Sequence, residues 1–598
     1  MFTKADYERI QQIVFDLVNF EWDGEIHVQE GAGLTVEVTG SRADIVAESK
    51  PALARAYFRL AQERSAGAKD FYIHEERQFG SCGAFLDFSR NGIMTVEACK
   101  KYMHYCAALG LNLIVLYTED TYEVPEYPYM GYLRGKYSQK ELRELDDYAD
   151  GLGIELVPCI QTLGHMVNFL HWSANYALQD QPAILLADEE DTYTFLEAAI
   201  RSVRSCVRSK RIHIGMDEAD GVGLGRYLNI HGMHDRFQLL KRHLDRVVKI
   251  CEKYDFRPMM WSDMFYRLGS KTNAYYDLEA EIPQSVIENL PNVDMVYWDY
   301  YHIDDFWYEH MLTQHEKMGA ETLFAGGIWT WGGFLPHVNY TYATMEPALK
   351  VCAAHKVTTV MATFWGDDGQ ETMHSLGLNQ LPIFSEANWR PDEASRDIVM
   401  KTGEFLTGLC KEAYEAFGNF YSGPAGIYTG KTMIWCDLLY PIGLQGEELE
   451  KSIQKSEEAL NVLSSFSEDY RCKYASLLFE IIVKKGKIMR EMQERYRRRD
   501  LNWLRTVAKR EIPILIERYR ILREQHRNLW EREFKRNGWE VLALRYGAAI
   551  GRLEDVASAL IRFANGELKN LCELDEDPMD PDRSEQTFRV YATPTVST

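Results

Sequence analysis

Long apolar runs are missing from this chain. No uninterrupted stretch of ~20 apolar residues occurs, so no helix is read as spanning a bilayer. The 11 cysteines are odd in number, scattered, and never arranged as a CxxC pair. That argues for free thiols in a reducing compartment, and against a disulfide framework or a zinc ribbon. Basic charge is also in deficit. With 67 Lys and Arg against 90 Asp and Glu, the formal net charge is -23. Neither nucleic acid nor an anionic membrane is an expected partner at that balance. The N-terminal segment Met1–Arg9 has no apolar run ahead of its acidic residues, so it is not read as a signal peptide, and a cytoplasmic location is expected. There is no repeat of fixed period and no low-complexity block. The arginine-rich stretches 495–499 and 518–527 lie among glutamates and read as solvated helix faces. What is present is an ordinary globular composition, 46% hydrophobic and 26% charged over 598 residues. That length allows roughly three to four domains, or fewer if one is a large barrel. Aromatic residues make up 12%, including 13 Trp and 35 Tyr, which serve as core packing or as flat surfaces for sugar rings.

Patterning divides the chain into three expected units: residues 1–78, 79–395 and 396–598. In the first, Leu34–Thr39 alternates with period two and reads as a strand, and Ala52–Gln62 as an amphipathic helix, giving a small α/β domain. In the second, short apolar runs recur, each followed by a polar loop and a helical stretch. The runs are 84–87, 113–117, 156–160, 212–215, 258–261, 295–298, 323–326 and 360–365. Intervening helices are expected at 96–109, 138–152, 195–208 and 236–254. Eight β-then-α units predict a (β/α)₈ barrel. The alternative, a doubly wound open sheet, lacks its glycine-rich dinucleotide loop after the first strand. The third unit is mainly helical, over 396–417, 447–466 and a long stretch from Tyr470 through Gln525 that Pro513 should break or kink. Phe588–Tyr591 reads as an edge strand or a loose tail.

Polar and aromatic residues collect at the C-terminal ends of the expected strands: Glu119, Asp120, His165, Asp217, Glu218, Trp261, Trp298, Trp365 and Asp367. In a (β/α)₈ barrel that end is the active-site face. The segment Gly215-Met216-Asp217-Glu218-Ala219 is the most informative. Adjacent carboxylates in a poorly solvated site push one pKa up and hold the other down, so a proton donor and an anion can coexist near neutral pH. Read alone, the pair also fits a strand end that merely faces water.

The segment His213-Ile214-Gly215-Met216-Asp217-Glu218 resembles the H-x-G-x-D-E signature of glycoside hydrolase family 20, the β-N-acetylhexosaminidases. The similarity runs from about Gly83 to Asp368 and takes in Leu86-Asp87-Phe88-Ser89-Arg90, Thr162-Leu163-Gly164-His165 and the strand-end tryptophans. It looks like an intracellular bacterial branch with a helical C-terminal extension. The resemblance implies a retaining exo-enzyme whose nucleophile is the substrate's own 2-acetamido oxygen, so the attack is intramolecular. It implies Glu218 as general acid and then base, and Asp217 as the group that holds the acetamido N–H beside the developing positive charge. His165 and Glu119 fit a supporting His–carboxylate pair. Trp261, Trp298 and Trp365 would wall the acetamido pocket, and Asp367 would take the place of a family Glu that binds sugar hydroxyls. A small oligosaccharide or glycoconjugate is the implied substrate, no cofactor or metal is implied, and a homodimer is compatible with it.

Two positions depart from the family pattern. Cys82 stands where many members have the Arg that grips O3 and O4. Strand seven ends in Ile328-Trp329-Thr330-Trp331, without the usual Tyr; Tyr300, sharing a strand face with Trp298, is the favoured substitute over Tyr297 and Tyr301. Two rival functions remain at this level: a metal-dependent barrel hydrolase using His165, His213, Asp217 and Glu218, and a non-catalytic glycan-binding barrel.

Overall fold

The computed structural model describes residues 3–423, 426–440 and 444–577; the Phe588–Tyr591 run lies outside them. The chain opens with a helix, Lys4–Leu17, and a four-stranded sheet of β1 (Glu25–Glu30), β2 (Leu34–Thr39), β3 (Arg42–Ala47) and β4 (Phe71–Glu75) in the order β1-β3-β2-β4. Alternation in β2 buries Leu34, Val36 and Val38 against the helix Lys50–Ser65. That helix starts earlier than the sequence predicts because Ser49 caps it, its hydroxyl accepting from the Ala52 N–H at 3.3 Å. Its buried Arg55 pairs with Glu75 at 2.5 Å and with Glu386 at 3.1 Å, tying the sheet to the helix Pro382–Trp389 outside the barrel.

The barrel strands are β5 (Ser81–Asp87), β6 (Leu113–Tyr117) and β7 (Glu155–Cys159), then, after a short hairpin of β8 (Gln179–Gln181) and β9 (Ile184–Leu185), β10 (Arg211–His213), β11 (Arg257–Trp261), β12 (Asp294–Trp298), β13 (Thr322–Gly327) and β14 (Thr359–Phe364). They close as a parallel barrel, β14 pairing back to β5 from Thr359↔Ser81 to Phe364↔Leu86. All eight predicted apolar runs are barrel strands. They read as continuous rather than alternating because both faces are covered, by the packed interior and by the outer helices. The third predicted helix is shifted: it spans Glu190–Arg204, its first turn favoured by Glu190 and Asp191 at the positive end of the helix dipole.

The C-terminal region is helical, with two corrections. The expected helix over 396–417 is split into Arg396–Thr407 and Lys411–Phe417 by Gly408 at φ 66°. The long stretch from Tyr470 breaks not at Pro513 but at Arg499, which takes φ 52°, and Asp500, whose carboxylate accepts from the Trp503 N–H at 3.1 Å to start a new helix. At Pro513 the chain stays helical, because the π turn Val507–Glu511 just before it accommodates the missing N–H. All 11 cysteines are unpaired, and only Cys410 and Cys572 escape full burial. Among the described residues no helix is long and apolar enough to cross a membrane.

Candidate active site

The site is made by the turn that ends β10. Gly215, Met216 and Glu218 take φ of 68°, 72° and 52°, so the chain leaves the ladder through left-handed backbone. Gly215 has no substitute here, since a Cβ would lie 2.0 Å from Gln161 Oε1. Gln161, just past β7, holds the turn at both ends: its Oε1 accepts from the Met216 N–H at 3.1 Å, and its Nε2 donates to Asp217 Oδ1 at 2.7 Å. The Glu218 N–H donates to Asp263 Oδ2 at 3.1 Å. The turn thereby overrides strand alternation and aims both carboxylates at one atom: His165 Nε2 lies 3.1 Å from Asp217 Oδ2 and 3.2 Å from Glu218 Oε2. Glu119 and His165 also adopt positive φ, 35° and 53°. Such conformations cost of order 1–3 kcal/mol each and persist only where the surroundings over-determine them.

Charge in this cluster is distributed unevenly. Burial pushes the His165 imidazole down, but Asp217 and then Glu218 raise it well above its ordinary value, so it is a cation near neutral pH. Burial raises Glu218, yet the hydrogen bond and charge of His165 and the hydroxyl of Tyr275 outweigh it and hold the carboxyl at about 2. Asp263 goes the other way. Burial first, then the charge of Asp217, push it up to about 8, so it keeps its proton. Burial likewise raises Glu119, against the pull of Arg90 and His165. Glu119 sits 3.7 Å from His165 Nδ1, beyond a hydrogen bond, and is held instead by the Tyr117 hydroxyl at 3.0 Å.

Aromatic rings enclose the space beside this cluster. Trp261 is deepest, its ring 4.3 Å from that of His213. Trp298 stacks on Tyr300 at 5.4 Å, and the Tyr300 hydroxyl accepts from Trp365 Nε1 at 3.1 Å. Asp367 is half-buried at the same rim, its pKa raised by burial against the charge of Arg90. Cys82 does not face this space; its thiol points at the Phe384 carbonyl, 3.7 Å away on the outer side of the barrel. The cation at the mouth is Arg90, 3.4 Å from Asp87 and 3.5 Å from Glu119, with its guanidinium over the rings of Tyr117 and Trp365.

Sequence reasoning assigns no role to four residues here: Arg90, which it meets only inside the Leu86–Arg90 motif, Gln161, Asp263 and Tyr275. The first three follow the ends of β5, β7 and β11 closely, and the strand-end rule applied to every polar residue finds them. Tyr275 lies far along a loop and carries no sequence signal. Of the four donors of the metal reading, His213 does not join His165, Asp217 and Glu218. The His213 Nδ1 accepts from the Gly215 N–H at 3.0 Å, and burial holds this imidazole at about 3, neutral and beneath Trp261. Among the described residues no cluster of three or more His, Cys, Asp or Glu side chains is arranged to hold a metal ion.

Residues 82–292 match the catalytic domain of glycosyl hydrolase family 20, and residues 411–590 match the Glycoside Hydrolase 20C C-terminal domain. Hexosaminidase D of Bos taurus is 28% identical over 207 residues, 32% of this chain and 55% of that protein. The chain spans about half the length of that curated relative. Among solved structures, the exo beta-N-acetylglucosaminidase of Vibrio harveyi aligns with a TM-score of 0.50 at 15% identity, covering 71% of this chain and 74% of that one. The N-acetyl-beta-hexosaminidase of Streptomyces plicatus aligns with a TM-score of 0.50 at 16% identity, covering 68% and 90%. At such identities these two likenesses speak for the barrel fold alone. One domain match falls on the barrel and the other on the helices that follow it, and the chain belongs to glycoside hydrolase family 20.

Proposed function

We propose that this protein is a retaining exo-β-N-acetylhexosaminidase that removes terminal β-linked N-acetylhexosamine with the substrate's acetamido group as nucleophile. One observation carries the reading: Asp217 and Glu218 are turned to the same side and share His165 Nε2 at 3.1 and 3.2 Å, beside a pocket of tryptophans. In the first step the acetamido oxygen bonds to the anomeric carbon while the glycosidic C–O bond breaks and Glu218 gives its proton to the leaving oxygen. Asp217, held by Gln161, accepts the acetamido N–H and faces the positive charge of the oxazolinium-like intermediate. In the second step water attacks the anomeric carbon, Glu218 takes its proton, and the acetamido group is restored.

The free site fits this cycle through its proton inventory. His165 holds the proton that Glu218 needs, 3.2 Å from it. A sugar that displaces water disfavours the charged pair and favours transfer to Glu218. Trp261, Trp298, Tyr300 and Trp365 suit the acetamido pocket, with Glu119 behind His165. Arg90 and Asp367 at the rim suit the ring hydroxyls, Arg90 supplying the cation that Cys82 does not. Unpaired thiols fit a cytoplasmic setting.

A chromogenic N-acetyl-β-glucosaminide tests the activity, and proton NMR of the first-formed sugar tests the route. The β anomer is expected first, because two inversions occur at the anomeric carbon. A plain β-glucoside should be a very poor substrate even at saturation, since it lacks the nucleophile and its effective molarity of ~10⁵ M or more. The α anomer first, or efficient cleavage of the plain glucoside, overturns the mechanism.

A further inference from the structure

The tryptophan pocket accounts for the sugar that is cleaved off, but not for what it is cleaved from. The leaving group must reach Glu218, whose two oxygens face different ways. Oε2 faces inward to His165, and Oε1 accepts from the Tyr275 hydroxyl at 2.7 Å. The Glu218 side chain is 39% exposed, so approach from solvent is open. Two large rings on this side are exposed: Tyr275, bonded to Glu218, at 41%, and Tyr301, packed on Tyr300, at 46%, whereas Trp298 and Trp365 are each 9% exposed.

Neither ring is a loose surface tyrosine. The Arg267 guanidinium lies 4.3 Å from the Tyr275 ring centre and pairs with Asp220 at 3.3 Å, and Asn273 donates to the same carboxylate at 3.0 Å. The loop is thereby tied to the residue two past Glu218. Its neighbour Tyr276 is buried and held at φ 43°, with its hydroxyl accepting from the Trp298 N–H at 3.2 Å. That left-handed residue is the anchor that leaves Tyr275 turned outward against Trp298, ring centres 5.2 Å apart. Tyr301 packs between Tyr300 at 5.5 Å and Trp329 at 5.4 Å, and its backbone carbonyl accepts from the Tyr340 hydroxyl at 2.8 Å. Its own hydroxyl lies within electrostatic reach of Asp367 and Glu218.

We infer that Tyr275 and Tyr301 form a leaving-group subsite that takes a neutral pyranose, its C–H faces against the two rings and its departing oxygen at the Glu218 carboxyl. The inference rests on the activity proposed above. Neutrality follows from the local charge. Asp217, Glu218 and Asp220 stand at the opening against two cations, His165 and Arg267, and both cations are already paired with these carboxylates. A carboxylated or sulfated leaving group meets more carboxylates than cations there, and both cations are already engaged.

The test compares kcat/KM for a β-linked N-acetylglucosamine disaccharide with that for the methyl N-acetyl-β-glucosaminide, whose leaving group has no ring. Tyr275→Ala and Tyr301→Ala should each lower the disaccharide-to-methyl ratio about tenfold, the size of one aromatic contact. Tyr275→Phe keeps the ring and should slow both substrates alike, leaving the ratio unchanged. Because each variant is measured on both substrates, partial misfolding cancels from the ratio. Wild-type cleavage of both substrates with ratios unmoved by either alanine overturns the subsite alone, as does wild-type preference for a glucuronate leaving group over glucose. Wild-type failure on both substrates overturns the activity on which the inference rests.

Discussion

At the scale of single residues, the site separates two acidic groups by environment. Glu218 and Asp263 are joined by one backbone hydrogen bond, yet one is held near 2 and the other near 8. Three outcomes follow. Glu218→Gln should slow cleavage of poor leaving groups by ~10²–10⁴ and of activated aryl glycosides much less, because the latter need little protonation. Equal losses in a leaving-group series would remove Glu218 from the acid role. Asp217→Asn should weaken binding of a thiazoline analogue of the intermediate while largely sparing the fold, and an unchanged inhibition constant would contradict the orienting role. The third concerns pH. Folded Asp263 keeps a proton that the unfolded chain releases near 3.8, so its contribution is full below that value and is lost as pH rises through about 8. Asp263→Asn mimics the protonated form. The fall in wild-type melting temperature between pH 5 and pH 9 should therefore flatten in the variant; parallel curves would show that Asp263 is ionised in the folded protein.

At the scale of elements, the strand ends matter more than the strands. The barrel strands are short, mainly apolar runs that build the scaffold, and β10 is only Arg211–His213. Its shortness follows from Gly215, which turns the chain out of the ladder in time to present Asp217 and Glu218 together. Gly215→Ala places a Cβ against Gln161 at a φ that L-residues resist. It should cost about 1–3 kcal/mol of stability and at least tenfold in turnover, measured by denaturant titration and initial rates on one preparation. Turnover at the wild-type level would show that the Gln161 clamp is dispensable. The helices were legible where their caps are local, as at Ser138, whose hydroxyl accepts from the Glu141 N–H at 3.2 Å. They differ at 499, where the break rests on an exposed arginine in left-handed backbone, a conformation that arginine does not signal, while Pro513 offers a strong local signal that a π turn absorbs.

At the scale of the whole molecule, the C-terminal helices are part of what shapes the pocket rim. Lys431, from the helix Thr429–Trp435, and Arg545, from Trp539–Ala564, converge on Glu371 at 2.5 and 2.8 Å, with Lys431 also 3.4 Å from Asp368. All four side chains are buried, and the loop they grip carries Asp367. Glu371→Gln leaves two buried cations short of a counter-charge and should destabilise the fold by about 3–5 kcal/mol, read as the shift in a urea midpoint. A shift below 1 kcal/mol would show that Asp368 and solvent suffice. The sequence alone determined the eight-strand barrel, because strand length and burial are written locally in each apolar run. It also determined the paired carboxylates, which are neighbours in the chain and need no fold to bring them together. Only the tertiary structure decided that His165 bridges both acids, that Asp263 is the neighbour that stays protonated, that Arg90 rather than position 82 faces the pocket, and that Tyr275 reaches Glu218. Those facts depend on the backbone angles of a few strained turns and on contacts between residues far apart in sequence, and neither leaves a periodic trace along the chain.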